Sequence, residues 1–291
     1  MIFGADALSR LGNSAGKATG ACLKHFGLRA RGPRLLRGIR RHDRASLPVR
    51  WPVKARVAAL LLAGMLPNAG ATEDTDTPGA RNWEINIVAS GERRTDSREY
   101  AVPAVDVNYG LSERTQLVLA IPHLMLREPG TDTRSGLGSA TVGLKWRFVD
   151  LEPAGVALAM FPAYSWNPSA SSVERGLSDP GHSLLLPLVL GVHRGDNALF
   201  VEAGRNLVQA GADEWFAGVK LTRQCMATVE CRVEVEHTRV AGEGSQTLAS
   251  VGFKWRLADH LILQGSVGRD IGPARDDKRQ VAFMFGIQLL L

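Results

Sequence analysis

The chain has 291 residues, enough for one large or two ordinary domains, and a formal net charge of +6. Of its 35 Lys and Arg residues, 13 lie in residues 1–56 beside only two acids, so this segment carries +11 and the remainder −5. The basic charge therefore belongs to a leader. The mildly acidic remainder argues against nucleic acid as a partner.

Residues 1–47 are rich in Arg, Gly and Ala, with a basic cluster at Arg40, Arg41 and His42. This composition predicts either a disordered basic extension or a start codon assigned too early. A nucleic-acid-binding arm is the alternative, but a chain that enters the secretion pathway would discard the arm with its signal.

Residues 48–71 have the order of a secretory signal peptide. An apolar run over 57–66 is too short to span a bilayer, and a small-x-small pattern ends at Ala71. We predict export through the Sec pathway with cleavage after Ala71, the alternative being a short buried helix. The positive flank consists of Arg50, Lys54 and Arg56.

Residues 72–81 are polar, which predicts a flexible periplasmic lead, and 82–291 repeat one alternating pattern. In 229–236, for example, apolar residues alternate with Glu and Arg, a period of two that predicts β-strands. We count about twelve strands, within a range of ten to fourteen because prolines interrupt several of them. Their centres lie near residues 86, 104, 119, 143, 159, 188, 201, 218, 233, 251, 264 and 286.

The connections alternate in length. Polar stretches near 90–99, 126–136 and 166–182 alternate with tight turns near 110–113 and 150–153. Short periplasmic turns and long extracellular loops are typical of outer-membrane barrels, whereas a soluble sandwich or lipocalin-like barrel has no reason to show this asymmetry. The sequence therefore predicts an all-β, antiparallel transmembrane β-barrel over 82–291. The 166–182 loop is expected to cover the outer rim, although it has the length to fold inward.

Alternation assigns the side chains to two faces. The apolar face should meet lipid, with an interface girdle of Trp146, Phe148, Phe253 and Trp255 near the tight-turn ends. The charges of the other face suit either a selective constriction or a set of cross-strand ion pairs that fill the lumen. The lumen-lining candidates are Asp106, Asn108, Lys145, Arg147, Glu202, Lys220, Glu230, Arg232, Glu234, Glu236, Lys254 and Arg256.

Cys22 falls in the leader, while Cys225 and Cys231 remain in the barrel. A tight turn between the two allows a disulfide in an oxidising compartment, and two unpaired thiols are the alternative. The spacing of Cys and His matches no zinc site, so neither a metal nor a cofactor is expected.

Three stretches resemble the phenol-degradation meta-pathway (MetA-pathway) family of outer-membrane barrels. They are VDVNYGLSERTQL at 105–117, VGLKWRF at 142–148 and its echo VGFKWRL at 251–257. The resemblance implies a transporter, since members are described as transporters and some are encoded near genes for the breakdown of aromatic compounds. It supplies no catalytic residues. Many outer-membrane barrels end in Phe, whereas this chain ends in Leu291.

We therefore expect an outer-membrane channel for small solutes, with aromatic or hydrophobic compounds as the class that the resemblance implies. Its expected partners are outer-membrane lipid, the solute and the barrel-assembly machinery. A non-conducting structural or surface-binding barrel is the first alternative. An outer-membrane lipid hydrolase is the second, but adjacent strand residues such as His182 and Ser183 point to opposite faces, so no enzyme is expected.

Overall fold

The computed structural model describes residues 72–242, 244–272 and 278–291. The predicted extension (1–47) and signal peptide (48–71) lie outside these residues. The strands are β1 Trp83–Arg93, β2 Arg98–Ser112, β3 Thr115–Arg127, β4 Arg134–Leu137, β5 Ala140–Leu151, β6 Val156–Met160, β7 Ala163–Trp166, β8 His182–Arg194, β9 Asn197–Val208, β10 Glu214–Met226, β11 Val229–Val240, β12 Gly244–Ala258, β13 Leu261–Asp270 and β14 Val281–Leu290.

These segments form twelve barrel strands, because two of the strands are interrupted. Both β4 and β5 pair with β3, and both β6 and β7 pair with β5 and β8. All neighbours are antiparallel, and each of the twelve predicted centres falls within a strand. The predicted fold class, an antiparallel β-barrel of about twelve strands, is confirmed.

The barrel closes where β1 meets β14. Their pairing runs without a shift from Glu84 opposite Leu290 to Arg93 opposite Val281. Two further hydrogen bonds join Trp83 and the chain's last residue, Leu291, with N···O distances of 2.7 and 2.9 Å. Closure satisfies the backbone N–H and C=O groups that an open sheet would leave at its edges, which is required of any sheet in hydrocarbon.

Prolines mark the irregular places in the strands, because proline has no N–H to donate to a neighbouring strand. Pro162 separates β6 from β7, and Pro103 lies where the pairing of β2 with β3 shifts register between Ala101 and Ala104. Pro122 lies opposite the break between β4 and β5, where its carbonyl accepts a hydrogen bond from Gly138 N at 2.9 Å.

One end of the barrel, the turn end, has connections of two to four residues and both ends of the barrel sequence. The other end, the loop end, carries connections over 94–97, 128–133, 167–181, 209–213, 241–243 and 271–280. Several of these are shorter than predicted, because the strands continue into the polar residues that the sequence assigned to loops. Among the described residues, no helix is long and apolar enough to cross a bilayer.

The two faces of the sheet differ as alternation requires. On β11, Val233 and Val235 are 49% and 45% exposed on the outside, whereas Glu234 and Glu236 between them are 4% and 7% exposed. Large exposed apolar residues recur around the outer surface, among them Leu119 and Phe285. A continuous apolar exterior around a polar interior is the reverse of a soluble protein and suits a lipid environment.

Aromatic side chains lie on the outside near both ends of the barrel. Trp146 and Phe148 are in contact near the turn end, with ring centroids 5.6 Å apart, and Trp255 is exposed on β12. Phe253, the fourth predicted girdle residue, is half-buried. A second group at the loop end, formed by Tyr164, Trp166 and Trp215, was not predicted from the sequence. The two groups are placed as aromatic belts at two membrane–water interfaces.

We expect Val235→Arg to impair barrel assembly far more than Val229→Arg on the same strand. Val235 lies midway along the outer face of β11, where an arginine in a bilayer costs roughly 2–4 kcal/mol, while the cost near an interface falls to about 0–1 kcal/mol. Assembly is measured as the heat-modifiable fraction on gels after refolding into vesicles. Equal assembly of the two variants would contradict the assignment of this face to lipid.

Candidate functional site in the barrel lumen

The lumen is lined by the inner faces of the strands, and most of the predicted candidates lie on it. Eight of them are buried against other inner groups: Asp106, Asn108, Lys145, Glu202, Lys220, Arg232, Glu234 and Glu236. Arg147, Glu230 and Lys254 are half-buried, and Arg256 is exposed near the turn end. The candidates therefore form a polar wall, with Arg256 at its margin.

A network of amides surrounds Asp106 in the half of the lumen nearest the turn end. Asn86 and Asn108 donate to its carboxylate at 2.9 and 2.6 Å, and Gln116 donates to the Asn108 side-chain oxygen at 3.0 Å. Gln264 completes the network with a bond to Asn86 at 3.1 Å. Asn86 and Gln116 were not among the candidates, although each alternates with outward apolar neighbours and could have been found by that signal.

The N-terminal residues 72–78, here called the plug segment, lie inside the lumen. Thr72 and Thr75 are 2% and 0% exposed. From Thr72 the segment descends toward the turn end, where Thr77 Oγ1 donates to the Glu113 carbonyl oxygen at 2.8 Å. A flexible periplasmic lead was expected from 72–81. Residues 72–78 lie inside the lumen instead, because their acids and backbone groups find partners on the lumen wall.

Two buried lysines of the wall hold the plug segment. Lys145 Nζ lies 3.0 Å from a carboxylate oxygen of Glu73 and 3.3 Å from one of Asp74. Lys220 Nζ donates to the Thr72 carbonyl oxygen at 2.6 Å and lies 4.0 Å from the Asp74 carboxylate. Buried charges need such partners, because an unpaired ammonium in a narrow lumen would keep its full desolvation cost.

The charge of the wall acts on Asp74 in return. Burial alone would raise the pKa of this carboxyl, but Lys145, Lys220 and Lys254 together hold its pKa below the usual range. Asp74 is therefore ionised at neutral pH and serves as a shared counter-ion for several cations of the wall. The sequence offered a selective constriction or cross-strand ion pairs as the two roles of the wall charges. Neither alternative included the plug segment, with which Lys145 and Lys220 form their ion pairs.

Acids of the wall bind the backbone of the plug segment. The N–H of Glu73 donates to Glu202 Oε2 at 2.9 Å, and the N–H of Thr72 donates to a carboxylate oxygen of Glu234. Beside these contacts the wall has glycines: a Cβ added at Gly191 would lie 2.6 Å from Thr75 Oγ1, and one at Gly218 would overlap Thr72 Oγ1. The absence of side chains at these two positions leaves room for the plug segment.

A cavity of about 360 Å³ remains beside the plug segment. The cavity is polar, and charged side chains line it. Its wall includes Asp106, Lys145, Lys220 and Gln264. Phe161 borders the same cavity beneath Lys145, whose Nζ lies 5.6 Å from the ring centroid. The plug segment therefore narrows the polar half of the lumen without filling it.

The other half of the lumen is obstructed by the 167–181 connection. A short helix, Ala170–Glu174, packs against β4, and the turn after it places Leu177 inside the barrel with 4% exposure. The expected rim position of this loop is wrong, because an apolar pocket on the wall accepts Leu177. Leu177 belongs to an inner apolar cluster with Val88, Ala101, Ala104, Leu124 and Met284.

The remaining predicted groups lie away from this site. His182 is exposed on the outside of β8 and Ser183 is buried on the inside, so the two side chains are on opposite faces. Cys225 and Cys231 are joined as a disulfide near the turn between β10 and β11, with Cα atoms 5.9 Å apart. Within the described ranges, no group of three or more His, Cys, Asp or Glu side chains is arranged to hold a metal ion.

No protein-family model matches the chain, and no curated protein matches it. Among solved structures, an outer membrane channel from Pseudomonas putida F1 is similar, with a TM-score of 0.58 and 12% sequence identity over 76% of this chain and 99% of that one. The NanC porin is also similar, with a TM-score of 0.53 and 6% identity over 70% of this chain and 98% of that one. At such identities the likeness establishes a shared fold, that of an outer-membrane barrel.

We expect Gly191→Leu to displace the plug segment. A larger side chain would overlap Thr75, and overpacking of this kind costs typically ~1–3 kcal/mol, so a Thr75→Cys reporter should react with a thiol reagent about tenfold faster or more. Reaction rates are measured on the refolded barrel in detergent. Ala203→Leu, a similar enlargement at an exposed outer position on β9, serves as the control. Equal rates in both backgrounds would show that Thr75 does not occupy this position.

Proposed function

We propose that the chain is an outer-membrane channel for small solutes that is closed at rest by its own N-terminal segment. The observation that carries the proposal is the ion pairing of Lys145 and Lys220 with residues 73 and 74. These counter-charges lie on a segment outside the sheet, which after the proposed cleavage at Ala71 would be joined to the barrel at its C-terminal end only and free to withdraw.

The position of the barrel follows from its surface and its connections. An apolar exterior with aromatic groups near both ends suits a bilayer, and short turns at one end with longer loops at the other are typical of the outer membrane, with the turns in the periplasm. Withdrawal of the plug segment would then take place toward the periplasm. Export by the Sec pathway, proposed from residues 48–71, would deliver the chain to this compartment.

The proposed solutes are small and apolar or aromatic. The inner apolar cluster around Leu177 gives the loop-end half of the lumen an apolar surface, while the polar cavity of about 360 Å³ follows it toward the turn end. A solute with an apolar body and one polar group would find complementary surroundings in both halves. The resemblance to the phenol-degradation barrels agrees with this class of solute.

A non-conducting structural barrel is the second candidate, and one observation favours it. Both halves of the lumen are obstructed, one by the plug segment and one by the loop that carries Leu177. If neither obstruction moves, the ion pairs serve only to stabilise the wall.

Deletion of residues 72–78 should raise single-channel conductance in planar bilayers several-fold. The deletion removes the obstruction of the turn-end half of the lumen and leaves Lys145 and Lys220 free to line the path, so anion selectivity should also increase. Liposome swelling with a small phenol and with a sugar of similar size tests the solute class, with faster swelling expected for the phenol.

A full-length variant with Glu73→Gln and Asp74→Asn is the matched control, because it keeps the segment and removes its charges. Its conductance should lie between those of the wild-type and deleted forms. Silence of the deleted form, with folding verified by heat-modifiable gel mobility, would contradict a channel closed by the plug segment and favour the structural barrel. Equal swelling rates for the two solutes would contradict the apolar solute class alone.

The proposed cleavage after Ala71 would give the plug segment a charged tip. The Thr72 nitrogen, which contacts the Glu234 carboxylate, would then be an α-ammonium group at neutral pH. Hydrogen bonds between ionised groups are about twice as strong as neutral ones. Processing at this position would therefore turn a backbone contact into an ion pair deep in the lumen.

We expect the mature protein to begin at Thr72 and Glu234→Gln to increase the frequency of channel opening. The intact mass of the exported protein gives the first result, and single-channel recording gives the second. Glu236→Gln is the matched control, because Glu236 is the next inward acid on β11 and accepts a hydrogen bond from Thr238 instead. Identical gating of the two variants, or an N-terminus several residues from Thr72, would contradict the role of the amino group.

A further inference from the structure

Three arginines form a row across neighbouring strands at the loop end of the barrel. Arg93 on β1 lies directly opposite Arg98 on β2, and Arg98 lies directly opposite Arg127 on β3. All three side chains are exposed and belong to the outward face of the sheet. This set is called the arginine row.

The arginine row lacks counter-ions within the described part of the chain. None of its three guanidinium groups forms a hydrogen bond or an ion pair with a described residue, although like charges directly opposite each other destabilise a sheet. The inward arginines at the same end differ: Arg94 pairs with Glu92 at 2.6 Å, and Arg279 pairs with Asp270 at 2.9 Å. The row is therefore a concentration of positive charge that the described barrel does not neutralise.

A cavity of about 290 Å³ lies at the arginine row. All three arginines line it, together with the 94–97 connection and the first residues of the 128–133 connection. Its two acids are Asp96 and Glu128, and the Glu128 carboxylate is already bound to Arg134. The guanidinium groups that line the cavity therefore outnumber its one free carboxylate, so the cavity is positively charged and favours an anionic group.

The outer surface next to the row is apolar. Tyr100 and Met125 are the next outward residues on β2 and β3, and they lie opposite each other. The Tyr100 ring is 6.4 Å from that of Phe283, which is 41% exposed on β14. Positive charge at the rim with an apolar surface directly below is the arrangement that accommodates a lipid with an anionic headgroup and hydrocarbon chains.

We propose that the arginine row binds a phosphate group, carried by a phosphorylated glycolipid of the outer leaflet. Guanidinium groups bind phosphate through paired N–H···O bonds, and three of them at the spacing of adjacent strands can surround one phosphate. The site depends on the proposed location in the outer membrane with the loop end outward. It does not depend on conduction, so a silent channel would leave it intact.

The test measures dissociation constants of the refolded barrel in detergent for diphosphorylated lipid A, for its dephosphorylated form and for inorganic phosphate. The wild type should bind the phosphorylated lipid at least about tenfold more tightly than the dephosphorylated lipid. Arg98→Gln with Arg127→Gln should remove most of this difference. Comparable binding of inorganic phosphate and lipid A phosphate would support the phosphate site but overturn the glycolipid as its source.

The matched control is Arg239→Gln with Arg269→Gln, which removes the same charge from two exposed outward arginines at the loop end of β11 and β13. This pair should leave the preference for phosphorylated lipid unchanged. If both double variants lost the preference for phosphorylated lipid equally, the effect would be one of net charge and the proposal would be overturned. Equal binding of the two lipid forms by the wild type would also overturn it. Heat-modifiable mobility and single-channel recording, done on the same preparations, separate loss of the site from loss of folding or of the channel.

Discussion

Closure of the sheet between β1 and β14 is the constraint on which the rest of this structure depends. The two terminal strands pair along their whole length, and the pairing ends with Trp83 bonded to the last residue of the chain. Once the sheet is closed, alternation gives every strand one outward and one inward face, so an apolar exterior forces the polar residues into the lumen. The lumen must then neutralise Lys145, Lys220 and the acids of β11 in a narrow space. The plug segment follows from this need, because it brings carboxylates and backbone groups where the wall alone leaves charges without partners.

Much of the fold could be predicted from the sequence, because the alternation of residues such as Val233 and Glu234 results directly from strand geometry. All twelve strand centres were predicted for this reason, and the prolines indicated where strands are interrupted. The inward loop could not be predicted. Leu177 is one apolar residue in a polar stretch, and its pocket is formed by residues from strands far apart in sequence, such as Val88 and Met284. Loop lengths were overestimated because polar residues at strand ends look like loops although they continue the sheet.

The plug segment was missed for a related physical reason. Residues 72–78 have the composition of a flexible linker, and nothing local distinguishes a solvated acid such as Asp74 from one held by lysines. Its partners are single positions far apart in the sequence: Glu202 and Lys220 lie on neighbouring strands, and Lys145 on β5 comes near them only in the folded barrel. The glycines at 191 and 218 carried a signal, since a small residue on an inner face leaves space for a second chain, but small inward residues also occur in barrels whose lumen contains only water.

The two obstructions of the lumen differ in what holds them, and this difference bears on how a passage could open. Ion pairs hold the plug segment, so competing ions or a charged solute that reaches Lys145 can replace its carboxylates one for one. The loop is held by burial of Leu177, which an apolar solute can replace by occupying the same pocket. A solute with an apolar body and an anionic group could therefore displace both obstructions. Its anionic group would replace the carboxylates of the plug segment, and its apolar body would replace Leu177. In such a channel the solute supplies, by its own differential binding, the free energy that favours the open state over the closed one.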